Sequence, residues 1–358
     1  MLHTIEKRAR GGRLGWREAS KATIARVTLS TVTEEYDALC RARLEHLVPV
    51  TQPLVLVSQV PRSGGTLLSQ LFDGHPECHA HPHELRIGSP TSRHWPQIDL
   101  ARRDEWFELL HEPYAWKHAR RGYRKPAGVR PDGGRDVDVF PFLFLPGLQQ
   151  RIFEQRLAEG QPASRRDVLD AYFTSYFNAW VDNQTLYAEP KRVVTAFAPD
   201  LHVKPRSLEG FFADYPDGML VSIVRDPRAW YASARNQKQQ YSTVERALKK
   251  WRSSTEATLS AQTERPDRVV VVTYESLVRD TEATMRLVAE RAGISMRPEL
   301  LVPTFNGRPI SANSSDPVEG YGVRPERTEG WREKLDGETV AQVEELAAGL
   351  YERAAALQ

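Results

Sequence analysis

Short runs of apolar, often β-branched residues alternate along most of the chain with longer segments of helical periodicity. Three such runs predict buried strands: Leu54–Val57, Met219–Val224 and Arg268–Tyr274. Helices are predicted over 66–72, 208–214, 227–236, 244–264, 281–292 and 339–356. Strands that alternate with helices predict an α/β protein with a central parallel sheet and right-handed crossovers.

The remaining segments deviate from this alternation. Residues 17–47 have a helical pattern, which predicts an N-terminal helical extension over 1–50 ahead of a main domain over 51–358. Residues 88–165 are rich in proline, glycine, arginine and aromatic residues, with loop composition over Arg124–Asp138. Together with an aromatic-striped helix over 166–184, this segment is predicted to form a cap over 88–200. A short strand is predicted at Leu201–Lys204.

The composition is that of a globular protein. Of the 358 residues, 40% are hydrophobic and 27% are charged, and the formal net charge is +2. This balance argues against a nucleic-acid-binding coat and against a polybasic membrane anchor. Cys40 and Cys78 do not make a disulfide framework, so we expect a reduced, cytoplasmic protein. No apolar run is long enough for a membrane span or a signal peptide, and we expect neither.

The first strand leads directly into the loop Pro61-Arg62-Ser63-Gly64-Gly65-Thr66, which precedes a predicted helix. The glycines allow the backbone N–H groups to approach an anion, and the helix N-terminus favours negative charge. Arg62 adds a permanent cation. The loop lacks the lysine of a Walker A motif, which disfavours an NTPase or kinase. On its own, the loop fits an anion site or a tight turn equally well.

The loop resembles the 5′-phosphosulfate loop, Pro-Arg/Lys-Ser-Gly-Thr-Thr, of sulfotransferases that use 3′-phosphoadenosine-5′-phosphosulfate (PAPS), with Gly65 in place of a threonine. A second match is Val221–Ser233, which is similar to the family's 3′-phosphate segment. There an arginine and a serine stand eight positions apart after a buried strand, as Arg225 and Ser233 do. The resemblance is closest to the tyrosylprotein, carbohydrate and bacterial branches.

Weaker matches follow in the family's order along the chain. Lys204-Pro205 resembles a lysine-proline element, and Tyr274–Leu277 resembles a turn whose tyrosine lies beside the adenine. Arg324–Trp331 loosely resembles a late basic loop that closes over the nucleotide. Together the matches span residues 54–335.

The resemblance implies a P-loop-like three-layer α/β sandwich with a helical and loop insertion that caps the active site. The implied reaction moves a sulfuryl group from PAPS to a hydroxyl of a carbohydrate, small molecule or tyrosine, leaves PAP as product, and needs no metal. The residues implied to bind the nucleotide are Arg62, Ser63, Gly64, Gly65, Thr66, Leu67, Arg225, Ser233, Tyr274, Arg324 and Arg327.

The implied chemistry needs cations and a base. Arg62 and the loop N–H groups are expected to stabilise the leaving phosphate, with Lys204 as a second cation near the sulfuryl oxygens. Related branches have a glutamate after a His-Pro turn, which indicates Glu84 as the general base, with His83 as the second choice.

The alternation of His79, His81 and His83 also fits a metal site, because a strand would place all three on one side. No cysteine or carboxylate pair completes the set with metal spacing. We therefore expect a polar loop beside the active site and no metal.

Two alternatives remain open from the sequence. One is a nucleotide-dependent phosphotransferase on the same loop architecture, which the missing lysine and the Arg225–Ser233 pair disfavour. The other is a non-catalytic protein that binds PAP or PAPS. The expected partner is a hydroxyl-bearing acceptor and not nucleic acid, and the oligomeric state is open, with a homodimer among the options.

Overall fold

A computed structural model describes residue 23 and residues 26–358 except 89–93, 130–134, 161, 236, 238 and 311–320. The chain divides into two compact units, Met1–Leu47 and Val48–Gln358. In the first unit, residues 26–45 form helix α1. Among the described residues, no helix has the length and apolar character needed to cross a bilayer.

The second unit is built on a five-stranded sheet whose neighbouring strands are all parallel. The spatial order is β2-β5-β1-β6-β7. The strands are β1 Leu54–Val57, β2 Cys78–Glu84, β5 Val193–Phe197, β6 Met219–Val224 and β7 Val269–Thr273. Every residue of β1, β5, β6 and β7 is buried, because helices cover the sheet, and this explains the apolar runs of the sequence.

Helices and two antiparallel ribbons surround this sheet. The ribbons pair β3 Tyr123–Val129 with β4 Arg135–Phe140, and β8 Thr304–Phe305 with β9 Arg308–Pro309. The helices are α2 Gly65–Phe72, α3 Trp106–Leu110, α4 Pro113–Arg121, α5 Pro146–Ala158, α6 Arg165–Ala179, α7 Pro205–Asp214, α8 Pro227–Ala234, α9 Val244–Glu264, α10 Tyr274–Arg279, α11 Thr281–Ala292, α12 Gly337–Ala347 and α13 Leu350–Ala355. The predicted α/β class with a central parallel sheet is confirmed.

The structure corrects four sequence-based expectations. The histidine segment is not a polar loop but the edge strand β2, and the expected loop over Arg124–Asp138 forms most of the β3–β4 ribbon. The strand predicted at 201–204 is wrong: this segment is a turn in which the N–H of Lys204 donates to Leu201 O at 3.0 Å, and the strand before it is β5. The predicted C-terminal helix is two helices, because Ala348 and Gly349 have φ of 49° and 69°.

The parallel arrangement brings the connections that follow all five strands to one edge of the sheet, among them the segment after β2. The carboxyl ends of β1, β5, β6 and β7 lead into the loop at 58–64, the turn at 198–204, the segment that starts at Arg225, and helix α10. Ligands of open α/β sheets bind outside the carboxyl ends of the strands. The predicted phosphate loop, Arg225 and Tyr274 therefore lie at this edge of the sheet.

Candidate active site

The loop after β1 is shaped to present backbone N–H groups. Arg62 and Gly64 have positive φ values, 78° and 102°, and the first bond of α2 runs from the N–H of Leu68 to Gly64 O at 3.0 Å. The N–H groups of the first residues of α2 therefore have no partner within the helix. Ser63 is fully buried, and its Oγ has no hydrogen-bond partner among the described residues. Such a loop at a helix N-terminus is suited to an anion.

Position 64 requires a glycine for two reasons: the positive φ of its backbone and the closeness of the Tyr274 ring. A Cβ at Gly64 would lie 2.5 Å from Cδ2 of the Tyr274 ring. The guanidinium of Arg225 lies over the same ring, 4.4 Å from its centroid. Tyr274 thus joins the loop after β1 to the segment after β6.

The two predicted phosphate-binding segments meet through side chains. Nε and Nη2 of Arg62 each donate to Ser233 Oγ at 3.2 Å. Nη1 of Arg225 donates to Arg62 O at 2.9 Å, while the buried Nε of Arg225 has no partner among the described residues. The sequence placed Arg62 with the leaving phosphate, and the structure directs its guanidinium towards the second segment.

Two buried tryptophans hold these segments in place. The indole N–H of Trp230, on α8, donates to Pro61 O at 2.9 Å. The indole N–H of Trp251, on α9, donates to Arg225 O at 2.9 Å. Because both indoles are buried, these bonds position the backbone on both sides of the site. Neither tryptophan was predicted, since nothing local in the sequence marks its partner.

Two further residues of the predicted site, Lys204 and Leu67, differ in how deeply they are buried. Lys204 is the half-buried N-cap residue of α7, in the turn that follows β5. The Leu67 side chain is 6% exposed and packs into the core, so that only its N–H is available to a ligand.

The late basic loop is partly described. Arg324 is half-buried before the 3-10 turn Pro325–Thr328, and the Arg327 side chain lies outside the described residues. Nη2 of Arg279, on α10, donates to Thr328 Oγ1 at 2.9 Å. This bond ties the late loop to the helix that starts at Tyr274.

A cavity of about 210 Å³ adjoins the phosphate loop. It brings together the start of α2, the end of β2, helix α4 and strand β3. Its lining residues are Thr66, Ser69, Gln70, Pro82, His83, Glu84, Tyr114, His118, Tyr123 and Phe197. Thr66 of the loop and the predicted base Glu84 therefore border the same space.

Glu84 and His83, the two candidate bases, differ in their surroundings. Glu84 is half-buried, and its Oε2 accepts from Nη2 of Arg86 at 2.7 Å. His83 Nδ1 lies 3.0 Å from Glu84 O, and its Nε2 lies 2.9 Å from the hydroxyl of Tyr176. Burial lowers the pKa of His83 to about 3. The neutral ring thus donates from Nδ1 and accepts at Nε2, so both nitrogens already make hydrogen bonds. Of the two candidates for the base, the geometry therefore favours Glu84 over His83.

Comparison with known proteins decides the family. A family model described as "Sulfotransferase family" matches residues 53–298. The chain belongs to the sulfotransferase family. No curated protein matches this sulfotransferase.

Several solved structures are similar to this chain over most of its length. The sulfotransferase domain of the olefin synthase from Synechococcus PCC 7002 has 18% identity and a TM-score of 0.46, over 84% of this chain and 96% of that chain. Sulfotransferase STF9 from Mycobacterium avium has 17% identity and a TM-score of 0.39, over 87% and 78% of the two chains. Retinol dehydratase in complex with retinol and PAP has 14% identity and a TM-score of 0.36, over 87% and 86%.

Behind the cavity, this sulfotransferase has a buried ion pair that the sequence did not predict. Glu112, at the start of α4, lies 2.9 Å from Nε2 of His81 and accepts from the Tyr172 hydroxyl at 2.8 Å. His81 Nδ1 lies 2.9 Å from the carbonyl oxygen of His83, which can only accept. A carboxylate oxygen thus lies at one ring nitrogen of His81 and a carbonyl oxygen at the other, so that both nitrogens are engaged. Although burial raises the pKa of Glu112, the charge and hydrogen bond of His81 lower it to about 2.

Glu112 also supports the segment that carries the candidate base. The backbone N–H of Arg86 donates to Glu112 Oε2 at 3.0 Å, and the side chain of Arg86 pairs with Glu84. Glu112 therefore helps to hold the chain where β2 leaves the sheet.

The histidines of β2 do not act as one set. Among the described residues, His81, His83 and Glu112 form a group whose ligand atoms lie within 4.8 Å of one another, so the carboxylate that the sequence spacing lacked comes from α4. Hydrogen bonds already engage all three side chains. His79 lies apart, with its ring 4.9 Å from that of Phe177 and both ring nitrogens without partners in the described structure.

Proposed function

We propose that this sulfotransferase moves a sulfuryl group from PAPS to an acceptor hydroxyl. The cavity that borders both Thr66 and Glu84 carries the proposal, because it offers one space in which an acceptor touches the donor loop and a base. Reacting groups held side by side in this way gain most of the advantage of an intramolecular reaction.

The donor is proposed to lie across the two joined segments. The N–H groups at the start of α2 bind the 5′-phosphosulfate, and Arg225 with Ser233 binds the 3′-phosphate. Arg62 lies between them, since its backbone belongs to the loop and its guanidinium reaches Ser233. The unpartnered Ser63 Oγ and Arg225 Nε fit a ligand rich in anionic oxygens. Tyr274 is proposed to lie beside the adenine.

The transfer follows from these positions. Glu84 takes the proton of the acceptor hydroxyl, and the acceptor oxygen forms a bond to sulfur as the bond from sulfur to the bridging oxygen breaks. The electron pair of the broken bond goes to the 5′-phosphate of PAP. The loop N–H groups stabilise this charge, and Lys204 is proposed to contact the sulfuryl oxygens.

The acceptor is proposed to present its hydroxyl on a ring. Tyr114, Tyr123 and Phe197 form much of the cavity wall, and about 210 Å³ accommodates one ring, since cavities of about 150 Å³ hold benzene. A sugar, a phenolic small molecule and a tyrosine share this feature. The part of the segment 88–200 that precedes strand β5 is then the acceptor-side cap, because β5 itself belongs to the central sheet. A cytoplasmic location remains part of the proposal.

Calorimetry with PAP and with ATP tests the donor. We expect PAP to bind without magnesium and ATP to bind weakly with or without it. Magnesium-dependent ATP binding in the absence of PAP binding would support the phosphotransferase instead. Incubation with ³⁵S-labelled PAPS and a panel of phenols, sugars and tyrosine peptides then tests transfer. PAP binding without transfer to any acceptor or to a cell extract would favour the non-catalytic alternative.

A further inference from the structure

Gln59 lies between β1 and the phosphate loop, with its carboxamide buried beside the donor site. The residue is 1% exposed, and its Oε1 has no hydrogen-bond partner among the residues that the structure describes. A buried amide that lacks a partner is unfavourable, because it has lost its hydrogen bonds to water. The unpartnered atom is an acceptor, and an anionic ligand would instead be bound by the donor at the other end of the amide, Nε2.

The carboxamide of Gln59 occupies the space that a side chain at position 65 would need. A Cβ on Gly65 would lie 1.9 Å from Nε2 of Gln59, 2.6 Å from its Cδ and 2.6 Å from the ring of Phe197. Real Cβ atoms do not approach other atoms this closely, so a side chain at position 65 would require Gln59 and Phe197 to shift. The atom of Gln59 nearest to Gly65 is its donor, Nε2.

Donors of two kinds thus meet at the start of α2. The N–H groups of the first helical residues have no partner within the helix, and Nε2 of Gln59 lies directly against the first of these residues, Gly65. The backbone of Gln59 is held in place, because its carbonyl oxygen accepts from the N–H of Asp200 at 3.0 Å. The N–H of the next residue, Val60, donates to Ser254 Oγ at 3.0 Å.

We propose that Gln59 is a donor-binding residue whose carboxamide contacts the 5′-phosphosulfate of PAPS and supplies the side-chain hydrogen bond that Gly65 cannot. The inference rests on the proposed function, because it requires a nucleotide with its 5′-phosphate on this loop. It also accounts for the glycine where the resembling loops have threonine: the hydrogen-bonding group comes from Gln59 instead.

The decisive experiment compares two ligands on one variant. In Gln59→Met the side chain keeps its length and fills the same space but has no N–H donor. PAP carries the 5′-phosphate, and adenosine 3′-phosphate lacks it. By calorimetry we expect Gln59→Met to bind PAP about tenfold more weakly than the wild type, as for a lost hydrogen bond to a charged group. We expect the affinity for adenosine 3′-phosphate to be unchanged.

A second variant and a control support the comparison. Gln59→Glu places a negative charge beside the phosphate and is expected to weaken PAP binding by more than about 100-fold, with a smaller effect on adenosine 3′-phosphate. Gln155→Met, on the exposed face of α5, is the matched control and should bind both ligands as the wild type does. Thermal unfolding of each variant checks that it is folded.

The outcomes separate this inference from the proposed function. Equal weakening of both ligands in Gln59→Met would mean that the residue only supports the shape of the loop, and unchanged PAP affinity would mean that it only fills space. Either result overturns the inference while the donor proposal stands. A folded wild type that does not bind PAP would overturn the donor proposal and the inference with it.

Discussion

The guanidinium of Arg62 donates to the hydroxyl of Ser233 through two bonds of 3.2 Å, and so joins segments that are 171 residues apart. Arg225 completes the connection through its bond to Arg62 O at 2.9 Å. Residues in one hydrogen-bond network are energetically coupled. The two segments that are predicted to bind phosphate are therefore coupled, and a substitution in one is expected to affect the other.

Arg225→Lys is expected to weaken PAP binding by at least about tenfold. Lysine keeps the charge but loses both the stacking on Tyr274 and the planar fork that reaches Arg62 O. Calorimetry measures the loss, and Arg246→Lys, at an exposed position of α9, is the control. An Arg225→Lys protein with wild-type affinity would show that charge alone is used at this position.

Gly64→Ala is expected to lower stability and to abolish PAP binding. Its φ of 102° strains any other residue, and its Cβ would lie 2.5 Å from the Tyr274 ring. Gly293→Ala separates the two effects, because Gly293 has φ of 70° and nothing within 4 Å of the added Cβ. In urea unfolding, the control should lose about 1 kcal/mol of unfolding free energy from backbone strain alone. Gly64→Ala should lose clearly more, because of the added contact with Tyr274. Equal losses would contradict the tight contact with Tyr274.

Glu84→Gln is expected to reduce turnover by about 10²–10⁴-fold while PAP binding is retained. The amide keeps the shape of the carboxylate but does not take the acceptor's proton. Turnover with labelled PAPS and binding of PAP are measured together, with Glu108→Gln, at an exposed position of α3, as the control. Full turnover in Glu84→Gln would rule out Glu84 as the base.

Glu112 should stabilise the fold in a defined pH window. Its pKa is about 2 in the folded protein against an ordinary value of 4.5. A group with a lowered folded pKa stabilises the protein above its unfolded pKa, and this contribution is lost as the pH falls from 4.5 to 2. The contribution at neutral pH is about 3 kcal/mol. In urea unfolding, Glu112→Gln should be less stable than the wild type at pH 7. The variant should also lose less unfolding free energy than the wild type between pH 4.5 and 2. The same pH dependence in both proteins would contradict the ion pair.

Lys125 should destabilise the fold at neutral pH. Burial lowers its pKa to about 7 from 10.5, and its Nζ donates to Gln70 Oε1 at 3.3 Å. Between pH 10.5 and 7 the unfolded chain holds the proton and the folded protein releases it. Stability therefore decreases as the pH is lowered from 10.5 to 7, and the penalty is complete below pH 7. Lys125→Met should therefore be more stable than the wild type at pH 7, by at most about 5 kcal/mol. Its advantage should shrink at pH 10; a less stable variant at pH 7 would show that the ammonium has a stabilising partner.

How much of the fold could be predicted depended on burial. Strands β1, β6 and β7 are continuous apolar runs because helices cover the sheet, and such runs were recognised without a structure. Strand β2 was not recognised, because Cys-His-Ala-His-Pro-His-Glu has no apolar pattern. Its histidines are buried by partners from elsewhere, such as Glu112 and Tyr176, and no local spacing reveals those partners.

The sequence by itself determined strands β1, β6 and β7 with the helices that follow them, the loop at 61–66, the segment at 225–233 and the resemblance of both segments to one family. These features are local, since each depends on neighbours along the chain. The tertiary structure alone decided that Arg62 turns to Ser233, that Glu112 pairs with His81 and that Gln59 takes the space beside Gly65. Those contacts depend on the packing of distant segments, which leaves no periodicity or spacing in the sequence from which they could be predicted.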